Sequence, residues 1–226
     1  MKIIIIKEPG DVDSIFLYIE NFIDSSMLSK LNPILYDMDY IPNYNYSETK
    51  IIRFQKWFQT NKNYFCKTWK TKFKRWEASE YFPELAEFQH YITHKIKGLG
   101  LEEYGIDIPE FNSCLINKYL NNHYIREHRD TDRAFGKEPL IAGISLGEPA
   151  TIIFKRVKYT GANKSLSKRD KDNEYLNFKL TLKPNSLFIM AGSSQKYWTH
   201  QIPKITTLTE SNPRISLTFR KQIFVP

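Results

Sequence analysis

Three groups of residues in this chain have types and spacings suited to chemistry. In E-H-R-D, Glu127 to Asp130, His128 and Asp130 stand two positions apart. On a β-strand such residues share a face. A neutral imidazole and a carboxylate converging on one point make two of the three ligands of a 2-His-1-carboxylate site, which holds iron with coordination positions open. His200, in W-T-H-Q-I-P, is the candidate third ligand. Of the five histidines, His128 and His200 are the two embedded in strand-like sequence on either side of a β-rich region. The third group is R-I-S-L-T-F-R, where Ile215, Leu217 and Phe219 alternate with Arg214, Ser216, Thr218 and Arg220. The apolar set supplies a core face, so two guanidinium groups share the other face and need an anion to answer them. Six residues at about 3.3 Å each separate the arginine Cα atoms by about 20 Å. Leaning inward, they could hold the two ends of a small dicarboxylate.

The elements that must position these groups are β-strands. Leu115 to Tyr119, Ile141 to Leu146, Ala150 to Val157, Tyr175 to Leu182, Ser186 to Met190 and Arg214 to Phe219 read as short strands, a pattern that predicts a sandwich or jelly roll. Such a fold brings strands distant in sequence side by side and leaves a mouth for a metal. The spacing predicts a first strand at Ile3 to Ile6 and a helix from Met27 to about Leu31, resuming after Pro33. A second helix starts at Phe82-Pro83 and ends near Gly98, and Tyr36 to Tyr46 reads as loop. His90 and His94 lie on the polar face of that second helix, but Tyr91 follows His90, which excludes an H-E-x-x-H zinc site.

Hydrophobic residues make up 41% of the 226, enough for a core, so the chain is not disordered throughout. The net charge of +8 favours a polyanionic partner, nucleic acid or an anionic membrane surface. From Ile51 to Trp76, Phe54, Trp57, Phe58, Tyr64, Phe65, Trp69, Phe73 and Trp76 are interleaved with lysines and arginines. Aromatics of this kind stack on unpaired bases while the cations follow phosphates; a strand pair with snorkelling lysines is the other reading. The loop from Gly161 to Glu174 carries Lys164, Lys168, Arg169 and Lys171, and is either a solvated tip or a basic arm reaching a backbone. Cys66 and Cys114 form neither a disulfide framework nor a C-x-x-C site, which points to an intracellular location. M-K-I-I-I-I is too short for a signal or membrane span.

With H-x-D, a distal histidine and R-x5-R in that order, the sequence resembles the AlkB family of Fe(II)/2-oxoglutarate dioxygenases. The resemblance covers about residues 12 to 222. It also rests on F-N-S-C-L-I-N-K-Y-L at Phe111 to Leu120, I-A-G-I-S-L-G at Ile141 to Gly147, W-T-H-Q-I-P-K at Trp198 to Lys204 and R-I-S-L-T-F-R-K at Arg214 to Lys221. The members that repair alkylated double-stranded DNA are the most similar, and R-F-Q-K-W at Arg53 to Trp57 looks like their base-flipping hairpin.

The resemblance implies an α+β, mainly β fold: a double-stranded β-helix (jelly-roll) core at 111–226, preceded by residues 1–110 with helices and a hairpin lid, in one structural domain. It implies Fe(II) held by His128, Asp130 and His200, with O2 as co-substrate. It implies 2-oxoglutarate held by Asn117, Tyr119, Arg214, Ser216, Thr218 and Arg220. Phe54 would wedge into the base stack, flanked by Arg53, Gln55 and Lys56, and the damaged base would stack between His128 and an aromatic such as Trp69 or Phe73. Thr131 and Asp132 would face the base, and Lys164, Lys168, Arg169 and Lys204 the DNA backbone. The implied activity is oxidative removal of N-methyl groups of the 1-methyladenine and 3-methylcytosine type, by a monomer acting on nucleic acid and not on a membrane. Three positions depart from the family pattern. Ser216 stands where asparagine is usual, Thr131 where the duplex-repair members have an acidic residue, and the basic run after His200 is reduced to Lys204. Action on RNA or single strands, on a protein side chain, or as a silent binding module remain open alternatives.

Overall fold

At the centre of the computed structural model lies strand β12 (Arg214–Arg220), hydrogen-bonded between β5 (Ser113–Tyr119) and β7 (Ile141–Gly147). The structure describes residues 1–10, 12–44, 50–60, 77–158 and 170–223. Around β12 an eight-stranded sheet runs in the order β1-β2-β10-β7-β12-β5-β4-β3. Its other members are β1 (Lys2–Ile6), β2 (Ser14–Glu20), β3 (Ile41–Tyr44), β4 (Lys50–Gln59) and β10 (Ser186–Gly192). A second sheet of four strands, β6-β11-β8-β9, is built from β6 (Ile125–His128), β8 (Ala150–Arg156), β9 (Phe178–Leu182) and β11 (Trp198–Ile202). All pairings within both sheets are antiparallel, as a jelly roll requires.

The alternation along β12 decides what each face of the large sheet does. Ile215, Leu217 and Phe219 are fully buried together with Cys114, Ile116, Ala142, Ile144, Leu187 and Ile189. Against that face pack helix α1 (Ser25–Asp37), through Leu31 and Leu35, and helix α2 (Pro83–Lys97), through Leu85, Phe88, Ile92 and Ile96. The spacing of those four α2 residues is one helical stripe, Pro83 sits at the helix start where its missing N–H costs nothing, and Gly98 caps the end. The other face of the large sheet looks toward the small sheet. One end of that space is filled by Phe16, Tyr18, Phe154, Phe188, Met190 and Trp198; the other end stays open and holds the site described below.

Four sequence expectations change. Helix α1 is continuous through Pro33 from Ser25 to Asp37. The stretch read as loop before Tyr46 contains β3, an edge strand whose Pro42 pairs with Phe54; proline is tolerated at an edge, where its missing donor is not needed. Residues Lys171–Leu176 form a 3-10 turn, so β9 begins only at Phe178; the Asn177 side chain there accepts the Arg156 N–H at 2.7 Å. Strand β6 ends at His128, leaving Asp130 beyond it. Among the described residues no helix is long and apolar enough to cross a membrane.

The two sheets are tied near their closed end by Glu8. Its carboxylate is buried, accepts hydrogen bonds from Ser14 and from Arg156 at 2.6 Å, and lies 3.2 Å from the Trp198 indole nitrogen. Removing one partner of a buried ion pair strands the other charge. Glu8→Ala is therefore expected to cost about 3 kcal/mol, read as a shift of the urea unfolding midpoint. Glu8→Leu combined with Arg156→Met should recover only part of that loss, because Asp170, 3.8 Å from Arg156 Nε, then loses its cation.

Candidate active site

The antiparallel pairing of β6 with β11 sets His128 directly opposite His200, with ring centroids 4.2 Å apart. The His128 Nδ1 lies 2.8 Å from the carbonyl oxygen of Arg126. A carbonyl only accepts, so Nδ1 carries the proton and Nε2 presents its lone pair. Burial disfavours the charged form of both imidazoles: it lowers the pKa of His128, and it pushes His200 down to about 3, with the neighbouring His128 contributing. Both rings are therefore neutral near pH 7, the form that binds metals.

Asp130 reaches the same space from the turn after β6. Its backbone N–H donates to Gln195 Oε1 at 2.9 Å, and its Oδ2 accepts from Arg220 Nε at 2.7 Å. Burial opposes its charge, but Arg220, by its charge and its hydrogen bond, holds the carboxyl below its ordinary range. Gln195 belongs to the short helix α4 (Ser194–Tyr197) at the end of β10. As they stand, no three His, Cys, Asp or Glu side chains among the described residues are gathered tightly enough to hold a metal ion. The Asp130 carboxylate is turned to Arg220, and Oδ1 is the oxygen left for a metal. Two neutral imidazoles and one carboxylate are nevertheless the donor set that suits divalent iron with open positions.

These residues line a cavity of about 500 Å³ between the sheets, together with Asn117, Tyr119, Ser145, Arg214, Ser216, Thr218 and Arg220. Register explains the grouping: Arg214 pairs with Tyr119, and Ser216 with Asn117 on one side and Ser145 on the other. Arg214 is buried, stacks on the Tyr119 ring at 4.9 Å and donates from Nη2 to Ser145 at 3.0 Å, leaving Nε and Nη1 without a hydrogen-bond partner. Arg220 Nη1 is likewise unpartnered. Buried cationic donors without acceptors are costly, and a dicarboxylate entering the cavity answers them. Arg220 is not the free second clamp that the strand pattern suggested, since its Nε already serves Asp130.

The other expected positions divide. Arg53 lines the cavity and donates from Nε to Asn117 Oδ1 at 2.9 Å. Thr131 lines it too, whereas Asp132 is exposed at the start of a one-turn helix, α3 (Asp132–Phe135). Gln55 is buried and faces Arg53, whereas Lys56 Nζ lies 3.4 Å from the Asp39 carbonyl in an exposed contact. Phe54 is half-buried, its ring 5.4 Å from that of His123, and is not part of the cavity wall. Lys204 is exposed beside a shallow groove formed with Tyr124, Glu127 and Gln201. Trp69, Phe73, Lys164, Lys168 and Arg169 lie outside the described residues. Ser145 and Gln195 had drawn no role from the sequence: Ser145 stood inside a quoted motif, while nothing marks Gln195 as the partner of Asp130.

Residues 16–220 match the model of the 2OG-Fe(II) oxygenase superfamily. The chain belongs to that superfamily. It therefore requires Fe(II), 2-oxoglutarate and oxygen. It is 34% identical over 151 residues to the DNA oxidative demethylase ALKBH2 of Arabidopsis thaliana, covering 62% of this chain and 43% of that one. It is 33% identical over 112 residues to the alpha-ketoglutarate-dependent dioxygenase alkB homolog 3 of Homo sapiens, covering 49% and 36%. The AlkB resemblance is thus borne out, although the chain spans less than half the length of these relatives. The fold matches the structure of OsALKBH1, with a TM-score of 0.59 at 14% identity over 91% of this chain and 97% of that one. It also matches a Pseudomonas putida prolyl-4-hydroxylase, with a TM-score of 0.56 at 10% identity over 95% and 94%.

Replacing Arg214 by Met removes the unpartnered donors and keeps the side-chain volume. The apparent KM for 2-oxoglutarate is expected to rise about ten- to a hundredfold, the worth of a charge-assisted pair, with the unfolding midpoint held or raised. An unchanged KM would separate Arg214 from co-substrate binding.

Proposed function

We propose that this chain is an oxidative demethylase of N-methylated bases in nucleic acid, of the 1-methyladenine and 3-methylcytosine type, with DNA as the expected substrate. The observation that carries the reading is the single cavity wall in which His128, Asp130 and His200 stand beside the unpartnered N–H groups of Arg214 and Arg220. The name of the Arabidopsis relative, a DNA oxidative demethylase, supports the substrate class, and the net charge of +8 suits a polyanion.

In this reading His128, Asp130 and His200 hold iron. Asn117, Tyr119, Arg214, Ser216 and Thr218 hold 2-oxoglutarate, and Arg220 bridges the two by keeping Asp130 charged and offering Nη1 to the co-substrate. Bound iron supplies the activation of oxygen that, with 2-oxoglutarate leaving as succinate and carbon dioxide, hydroxylates the N-methyl carbon, which is then lost as formaldehyde. The residues themselves bind, orient and exclude water: Ile141, Ile152, Phe188 and Met190 give the cavity an apolar floor. A base must leave its stack to enter, which costs a few kcal/mol and least where a methyl group already blocks pairing. Phe54, half-buried on β4 with its ring beside that of His123, is the residue to fill the gap in a duplex.

The inward engagement of Gln55 favours a second reading, action on single strands, because that side chain is then unavailable to a complementary strand. Formaldehyde release from 1-methyladenine and 3-methylcytosine, in duplex and single-stranded oligonucleotides of DNA and RNA, tests both. Under the duplex reading, Phe54→Ala should lower duplex turnover at least about tenfold and leave single-strand turnover nearly intact. Equal loss on both would remove the flipping role, and no release from any substrate would remove the function.

A further inference from the structure

The cavity wall carries three arginines, Arg53, Arg126 and Arg129, that neither iron binding nor 2-oxoglutarate binding uses. Among the described residues five arginines line it, Arg53, Arg126, Arg129, Arg214 and Arg220, against a single carboxylate, Asp130. That carboxylate is committed to Arg220. Arg126 is exposed on β6, and Arg129 Nη1 donates to the Lys196 carbonyl at 2.8 Å. Arg214 sits deep on β12 among the proposed co-substrate residues. Arg53 is the remaining case.

Arg53 extends from β4, next to β5, into the cavity. Its Nε holds the Asn117 amide oxygen at 2.9 Å, and Nη2 lies 3.4 Å from Gln55 Oε1, a long contact to a neutral group. Neither partner is charged, and among the described residues Nη1 makes no hydrogen bond. The neighbouring wall, Ile51, Ile52, Tyr124, Ile125 and Thr131, offers no carboxylate. A guanidinium does not give up its proton even when desolvated, so a base entering here meets a fixed positive charge whose remaining hydrogens can only be donated.

We infer that Arg53 sets lesion preference, making the cavity favour uncharged N-methylated bases that present a carbonyl oxygen over cationic ones. This rests on the demethylase reading and reverses the order of substrates within it: 1-methyladenine and 3-methylcytosine, both cations, become the slower substrates, and neutral N-methylated pyrimidines the faster ones. Methylation at N3 of uracil replaces an N–H and leaves a neutral ring with two carbonyl acceptors. Methylation at N3 of cytosine creates a cation, because that nitrogen had no hydrogen to lose. The two rings have nearly the same shape, so they isolate charge and acceptor from size. A cation close to Arg53 is repelled in a water-poor site, whereas a carbonyl accepts a charge-assisted hydrogen bond from it.

The test uses single-stranded DNA oligonucleotides that are identical except for 3-methyluracil or 3-methylcytosine. Formaldehyde release is measured with iron and saturating 2-oxoglutarate for the wild type, Arg53→Met and Arg53→Lys. The expected result is a kcat/KM at least about tenfold higher for 3-methyluracil in the wild type. That ratio should fall toward one in Arg53→Met and persist in Arg53→Lys, which keeps the charge. A general loosening of the site would lower both rates and leave the ratio alone. A wild-type ratio near or below one, or a ratio unchanged in Arg53→Met, overturns the inference while leaving the demethylase reading standing. No formaldehyde from either oligonucleotide or from the 1-methyladenine panel removes that reading, and the inference with it.

Discussion

The hydrogen-bonded ion pair between Arg220 and Asp130, 2.7 Å long and withdrawn from water, is the interaction on which the rest of the site depends. It joins the last residue of the central strand of one sheet to a turn that leaves the other. Two buried guanidinium groups on β12 are tolerable only because neither can turn away: the alternate residues Ile215, Leu217 and Phe219 are pinned against helices α1 and α2. The strand is thus fixed by its apolar face, and the polar face inherits that rigidity.

From this constraint the electrostatics of the cavity follow. Asp130 keeps its charge despite burial because Arg220 stands beside it, while His128 and His200 lose theirs because burial is not offset as strongly. One carboxylate and two neutral imidazoles is what a divalent metal needs without displacing protons. Arg214, stacked on Tyr119 and steadied by Ser145, keeps two nitrogens unpartnered, a state that makes sense in a protein whose superfamily binds 2-oxoglutarate.

Much of this was legible in the chain. The strict alternation of Arg214 to Arg220 announces a strand committed on both faces, and the stripe Leu85, Phe88, Ile92, Ile96 announces the helix that covers one of them. These patterns are readable because each repeats with the period of a single local structure. Strand β3 was hidden by Pro42 and its neighbours, since edge pairing leaves little periodicity in four residues. The i, i+2 reading of His128 and Asp130 named a plausible pair for a mistaken reason. Their convergence comes from the turn after β6, held by Gln195, and not from a shared strand face. The hairpin residue Gln55 looks like part of a nucleic-acid surface in sequence, but the register with β5 turns it inward toward Arg53 and Asn117.

By itself, then, the sequence determined the residue types: the imidazoles, the carboxylate, the arginines on one face of β12, the apolar faces that bury the strands, and through the ordered motifs the family. Periodicity and motif order are properties of short stretches, and short stretches are what a sequence displays. Which arginine answers which anion was decided only by the tertiary structure. Arg220 went to Asp130, Arg214 was left open, and Arg53 was brought in from β4 to hold Asn117. Those assignments rest on distances between residues 64 and 90 positions apart in the chain, and only the packing of one sheet on the other sets them.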